Sequence, residues 1–125
     1  MNYLIDFKLK NNDENIEKYN ISIKYIGNDI VFEDVGDKYI LRVENNIMKM
    51  TKENKESKIE FLFDEKRVTN GKYYIKELNN YFDTKIKTLD LNLSKKIIHV
   101  KYKLFISNEE TGTFDFKITL KEASK

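Results

Sequence analysis

At 125 residues, of which 40% are hydrophobic and 35% charged, the chain has the length of one domain and enough apolar material for one core. It contains no Cys, which excludes disulfides, thiolate metal sites and cysteine nucleophiles together. The net charge is only +2, Lys is interleaved with Asp and Glu, and Arg42 and Arg67 are the only arginines; this pattern points to a mixed-sign solvated surface and away from nucleic acid as a partner.

In chain order, charge arrives at Asp6, before a signal-peptide core could form, and no apolar run approaches the length of a membrane span. A cytoplasmic protein with no membrane association is expected. Tyr3, Ile5, Phe7 and Leu9 alternate with Asp6, Lys8 and Lys10, the period of a half-buried strand. The same period places Tyr19, Ile21, Ile23 and Tyr25 on one face of a second strand, closed by a turn at Gly27, Asn28 and Asp29. A short apolar strand at 30–33 turns through Val35 and Gly36 into Tyr39, Leu41 and Val43. Asn45 and Asn46 form the next tight turn, followed by Ile47, Met48 and Met50, and the polar stretch 51–57 reads as an exposed tip. Ile59, Phe61 and Phe63 resume the alternation, and Asn70-Gly71 carries a hairpin signal. Tyr73 and Ile75 follow. Phe82, Thr84 and Ile86 then occupy even positions whereas Leu89, Leu91 and Leu93 occupy odd ones, a phase slip near Thr88 that predicts a β-bulge or sharp bend. The clearest strand pair closes the chain. Ile98, Val100, Tyr102, Leu104 and Ile106 lead through a turn at 108–112 into Phe114, Phe116, Ile118 and Leu120.

Sheets with one apolar and one charged face must cover the apolar side, and no segment offers an amphipathic helix to do so. Residues 1–125 are therefore expected to form a single all-β domain with little or no helix, an antiparallel up-and-down β-barrel of about eight to ten strands. The absence of Pro leaves edge strands without that gatekeeper and favours closure over an open sandwich.

The closing segment from Tyr102 to Glu122, with its Tyr-x-Leu-x-Ile strand, Asn-rich turn with Gly and final Phe-x-Ile-x-Leu-Lys-Glu, resembles the YwiB-like family of small bacterial proteins with a calycin-type, lipocalin-like β-barrel. Leu89-Asp-Leu-Asn-Leu93 and the turns at Gly27 and Gly36 are similar to further parts of that family. Where the family often carries Thr-Pro-Tyr-Gly, this chain reads Ile75-Lys-Glu-Leu78, and its middle is shorter. The resemblance implies a barrel able to hold a small ligand.

The candidate chemistry is sparse. His99 is the only histidine and falls on the polar face of its strand, so it neither builds a metal site nor finds an evident partner as a general base. Gly27, Gly36, Gly71 and Gly112 are isolated, so there is no phosphate-cradling loop. No enzymatic activity, catalytic residue, metal or cofactor is expected. Tyr25, Tyr39, Tyr102 and Thr84 fall on the apolar register, and such side chains could line a cavity and hydrogen-bond a ligand. The reading is a non-enzymatic binder of a small, mostly apolar molecule. A protein-interaction module using outward Leu4, Ile40, Leu62, Tyr74 and Phe105 is the alternative, and a weak single-stranded nucleic-acid binder the third.

Overall fold

Alternating side chains on successive antiparallel strands leave one apolar face, and a sheet this long buries that face by curling onto itself. A computed structural model describes residues 3–122 of the chain. Its strands are β1 (Tyr3–Lys10), β2 (Asn15–Ile26), β3 (Asp29–Asp34), β4 (Asp37–Glu44), β5 (Ile47–Glu53), β6 (Ser57–Phe63), β7 (Thr69–Ile75), β8 (Asn80–Leu93), β9 (Ile97–Ile106) and β10 (Glu109–Glu122). They form a closed barrel in which each strand pairs antiparallel with its sequence neighbours and β1 also pairs with β10. No helix occurs among the described residues, and none is long and apolar enough to cross a membrane. The short middle does not prevent closure, because β4 and β5 pair directly across the Asn45–Asn46 turn.

The inner face is the apolar register: Ile5, Phe7, Leu41, Met48, Phe63, Ile86, Val100, Phe116 and Ile118 are all buried in one core. Asn45 and Asn46 take φ of 52° and 63°, and Ser107 and Asn108 take 52° and 67°, the pattern of two-residue turns whose twist matches that of the flanking strands. The last hairpin therefore turns at Ser107–Asn108, earlier than the expected 108–112. Gly112 instead lies within β10, where the register against β9 shifts.

The phase slip near Thr88 is a β-bulge: the register of β8 against β9 shifts between Thr88 and Asp90. Thr88 stays buried and Leu89, the extra residue, is exposed, so Leu89 does not share the inner register expected for it. A second bulge lies in β2, where the register against β1 shifts between Ile5 and Phe7. Asn20 takes φ 59° there. The shift turns Tyr19 outward, to hydrogen-bond Glu17 at 3.0 Å, and brings Lys18 opposite Phe7.

Asn70-Gly71 is not a turn. It lies inside β7, and the chain reverses at 64–68. A Cβ on Gly71 would stand 2.7 Å from the Glu60 carbonyl oxygen and 2.7 Å from Thr84 Oγ1, so the glycine marks a close approach of strands. The β6–β7 ladder runs only from Ser57 to Glu60. Beyond it, two buried threonines bridge the gap: Thr69 Oγ1 donates to the Leu62 carbonyl, and Thr88 Oγ1 accepts from the Asp64 amide at 3.2 Å.

Candidate functional site

The turns after β1, β3, β5, β7 and β9 gather at one end of the barrel, by the up-and-down order of the strands. A cavity of about 380 Å³ opens there, between the inner faces of β1, β4, β5, β6, β7, β9 and β10, with a volume equal to roughly a dozen water molecules. Its walls are mostly apolar, with Leu9, Met50, Ile59, Phe61, Leu104 and Phe114 among them. The polar groups are few: the phenols of Tyr39, Tyr73 and Tyr102, the Lys52 ammonium, and Asn54, Glu56 and Ser57 at the rim.

Local hydrogen bonds fix the rim. Asn54 Oδ1 accepts from the Glu56 and Ser57 amides at 2.8 and 2.9 Å, an Asx-type turn, while its Nδ2 donates to Asp37 Oδ1 at 2.9 Å. Lys76 Nζ donates to the Asn54 carbonyl at 2.7 Å and pairs with Glu53 at 2.9 Å. Lys52 follows Met48 and Met50 on the inner register and stands opposite Tyr39. Its ammonium lies 5.5 Å from the Tyr39 ring centroid and 3.9 Å from Asp37 Oδ2.

Tyr39 is 4% and Tyr102 5% exposed. Tyr39 stacks on Phe32 at 4.7 Å, and Tyr102 stacks on Phe114 at 5.4 Å. Burial pushes the Tyr39 phenol far above its ordinary range, with the Asp37 and Asp34 charges adding to the effect, and burial alone does the same to Tyr102. Both stay neutral at physiological pH and offer O–H donors. Among the described residues, none of the Tyr39, Tyr73 and Tyr102 hydroxyls has a protein hydrogen-bond partner.

No protein-family model and no curated protein sequence matches this chain. Among solved structures, the crystal structure of the YwiB protein from Bacillus subtilis is similar, with a TM-score of 0.60 and 11% identity over 98% of this chain and 91% of that one. The likeness is one of fold. It agrees with the architecture expected from the closing hairpin and carries no site residue across.

Of the four side chains expected to line a ligand cavity, Tyr39 and Tyr102 meet at the mouth. Tyr25 does not. It shares the inward register but sits near the β2–β3 turn at the opposite end, 49% exposed, with its ring edge-on to Tyr3 at 5.3 Å. Thr84 is 1% exposed and stands beside Gly71, away from the mouth, bordering a wider hollow of about 670 Å³ where β7 and β8 meet the Ser107–Asn108 turn. That hollow is the larger of the two, yet exposed Asn70, Asp83, Lys85 and Asn108 border it, which makes it a surface notch with little apolar enclosure. Lys52 was hidden in the sequence because 51–57 reads as a polar tip, although the spacing Met48, Met50, Lys52 carries its inward direction.

His99 lies on the outer face with Nε2 2.6 Å from Asp115 Oδ1 and does not border the mouth. Among the described residues no cluster of three or more His, Asp or Glu could hold a metal. Of the outward apolar residues, Leu62 faces Lys49, Phe105 faces Lys85 and Glu110, and Leu4 faces Lys121 and Ser22, whereas Ile40 faces Val31 and Tyr74 faces Tyr81 with ring centroids 4.6 Å apart.

Proposed function

We propose that this barrel is a binding protein for a small, mostly apolar molecule held in its open mouth, and that it performs no chemistry on that molecule. The observation that carries this is the cavity itself, about 380 Å³, walled by aliphatic and aromatic side chains and furnished with a few phenols and one ammonium. Such a composition suits recognition, in which apolar area supplies affinity and a few polar groups set orientation. The mouth brings together no nucleophile with a base, and the only imidazole lies elsewhere. The fold shared with the Bacillus subtilis protein supports the architecture of this reading and is silent on the ligand.

Titration with neutral phenylnaphthylamine tests the proposal. Saturable fluorescence enhancement is expected, and it should be abolished in Ile59→Trp, which fills the mouth from a half-buried position opposite Lys52 and Tyr73. Far-UV circular dichroism checks that the variant keeps its strands. Absence of saturable binding, or binding unchanged by a folded Ile59→Trp, would remove the mouth as the site.

A further inference from the structure

The polar groups of the mouth are unequal in kind. Tyr39 and Tyr102 are each more than nine-tenths buried, and their hydroxyls have no protein partner among the described residues. Neither hydroxyl is shut off from the mouth, since Thr84 Oγ1 alone among the described residues is a buried side-chain polar atom without a partner, so each phenol is a donor open to whatever enters. Both side chains line the same cavity. Beside them is Lys52, half-buried, with no hydrogen bond from its ammonium among the described residues. The nearest carboxylate, Asp37, is held through Oδ1 by Asn54, and its Oδ2 remains 3.9 Å from Nζ, beyond hydrogen-bond reach. Asn54 Oδ1, an obvious acceptor at the rim, is occupied by two backbone amides. The remaining carboxylate at the cavity is Glu56, which is exposed in the β5–β6 tip. The inner mouth therefore presents donors whose acceptors are missing, next to a positive charge.

We infer that the bound molecule is a small amphiphile with a compact anionic head, such as a carboxylate or sulfonate, which accepts hydrogen bonds from Lys52, Tyr39 and Tyr102 while its apolar body lies against Met50, Ile59, Phe61 and Phe114. This rests on the reading of the mouth as a binding site. The Lys52 ammonium supplies the charge-assisted bond, and the stacked phenol rings hold their hydroxyls in place without spending further side-chain entropy on binding.

Two probes of similar body separate the two claims: anilinonaphthalenesulfonate, which is anionic, and phenylnaphthylamine, which is neutral. Lys52→Met should weaken the sulfonate roughly tenfold to a hundredfold and leave the neutral probe unchanged, whereas Lys52→Arg should retain most of the sulfonate affinity. The double variant Tyr39→Phe, Tyr102→Phe should also weaken the sulfonate. Its melting temperature should stay close to that of the parent, because the variant loses no protein hydrogen bond among the described residues. If both probes bind at the mouth and Lys52→Met and the phenylalanine pair leave their affinity ratio unchanged, the anionic head is overturned and the binding reading stands. If neither probe responds to Ile59→Trp, the binding reading itself falls, and this inference with it.

Discussion

Gly71 and Thr84 occupy one small volume in the wall between β6, β7 and β8. The glycine has no Cβ where one would meet the Glu60 carbonyl oxygen at 2.7 Å and the Ile86 side chain at 2.8 Å. The Ile86 methyl can swing away, but the carbonyl belongs to a strand and cannot. Gly71→Ala should therefore destabilise the barrel by about 1–3 kcal/mol, as overpacking does, even though alanine is otherwise the better strand residue. Thr84 shows the reverse effect. Its Oγ1 is buried and has no hydrogen-bond partner among the described residues, so Thr84→Val, of nearly the same shape, should raise stability by about 1 kcal/mol. Urea denaturation of the two variants checks both signs, and a destabilised Thr84→Val would show that the hydroxyl has a partner after all. The same residues explain a misreading. Asn-Gly is a turn signal from local backbone chemistry, and only the approach of Glu60 and Thr84, distant in sequence, reveals that this glycine serves a strand. Tyr25 misleads for a related reason, since alternation gives the face of a side chain but not its height along the barrel.

At the level of elements, the two bulges differ in how visible they are. The one at Leu89 moves the inward register from even positions, at Phe82, Thr84 and Ile86, to odd ones, at Leu91 and Leu93, so the pattern itself records the slip. The one at Tyr19 and Asn20 leaves no such mark, because Tyr19 is apolar enough to continue the alternation in either phase. What holds this second bulge is Asp6: its Oδ1 accepts the Asn20 amide at 3.1 Å and lies 2.9 Å from Lys121 Nζ. One carboxylate thus ties β1, β2 and β10 together at the seam where the barrel closes. The hydrogen bond from Lys121 holds the Asp6 carboxyl below its ordinary range; burial opposes it less strongly, and the Asn20 amide adds a still smaller lowering. A carboxylate with a depressed folded pKa stabilises the fold above its unfolded value, near 4, and loses that contribution as pH falls through the folded value. Asp6→Ala should therefore destabilise by about 1 kcal/mol at neutral pH. The gap to wild type should close as acid protonates Asp6 below that range. Asp6→Asn, which keeps an acceptor for Asn20 and loses the charge for Lys121, should fall between the two. Thermal melts across pH measure this, and a gap constant down to strongly acidic pH would rule out the charged form of Asp6 as its source.

Across the whole molecule, closure depends on a single non-local pairing. Every other ladder joins consecutive strands, while β1 and β10 pair over their full shared length, from Tyr3 opposite Glu122 to Lys10 opposite Asp115. The sequence announced the barrel through its two-faced strands and missing helices, yet no local pattern names β10 as the partner of β1. Pairing Tyr3 with Glu122 also brings the two ends of the described chain side by side, at the end of the barrel away from the mouth. Chain ends in this position favour circular permutation, provided that the new break falls in an exposed tight turn. The Asn45–Asn46 turn qualifies, since both residues are exposed and it lies at the end opposite the cavity. A permutant with the old ends joined by a short Gly/Ser linker and new ends between Asn45 and Asn46 should keep the far-UV circular dichroism of the parent. It should also bind phenylnaphthylamine with unchanged affinity, because no residue of the mouth has moved. Its folding should be faster, because the β1–β10 pairing becomes a local hairpin and loop closure no longer spans the chain. The β4–β5 ladder becomes the non-local one in exchange. That ladder runs from Lys38 opposite Glu53 to Glu44 opposite Ile47 and is shorter than the one it replaces, so less of the barrel waits on distant contacts. A permutant that folds more slowly than the parent would show that the central hairpin, and not the terminal seam, limits folding.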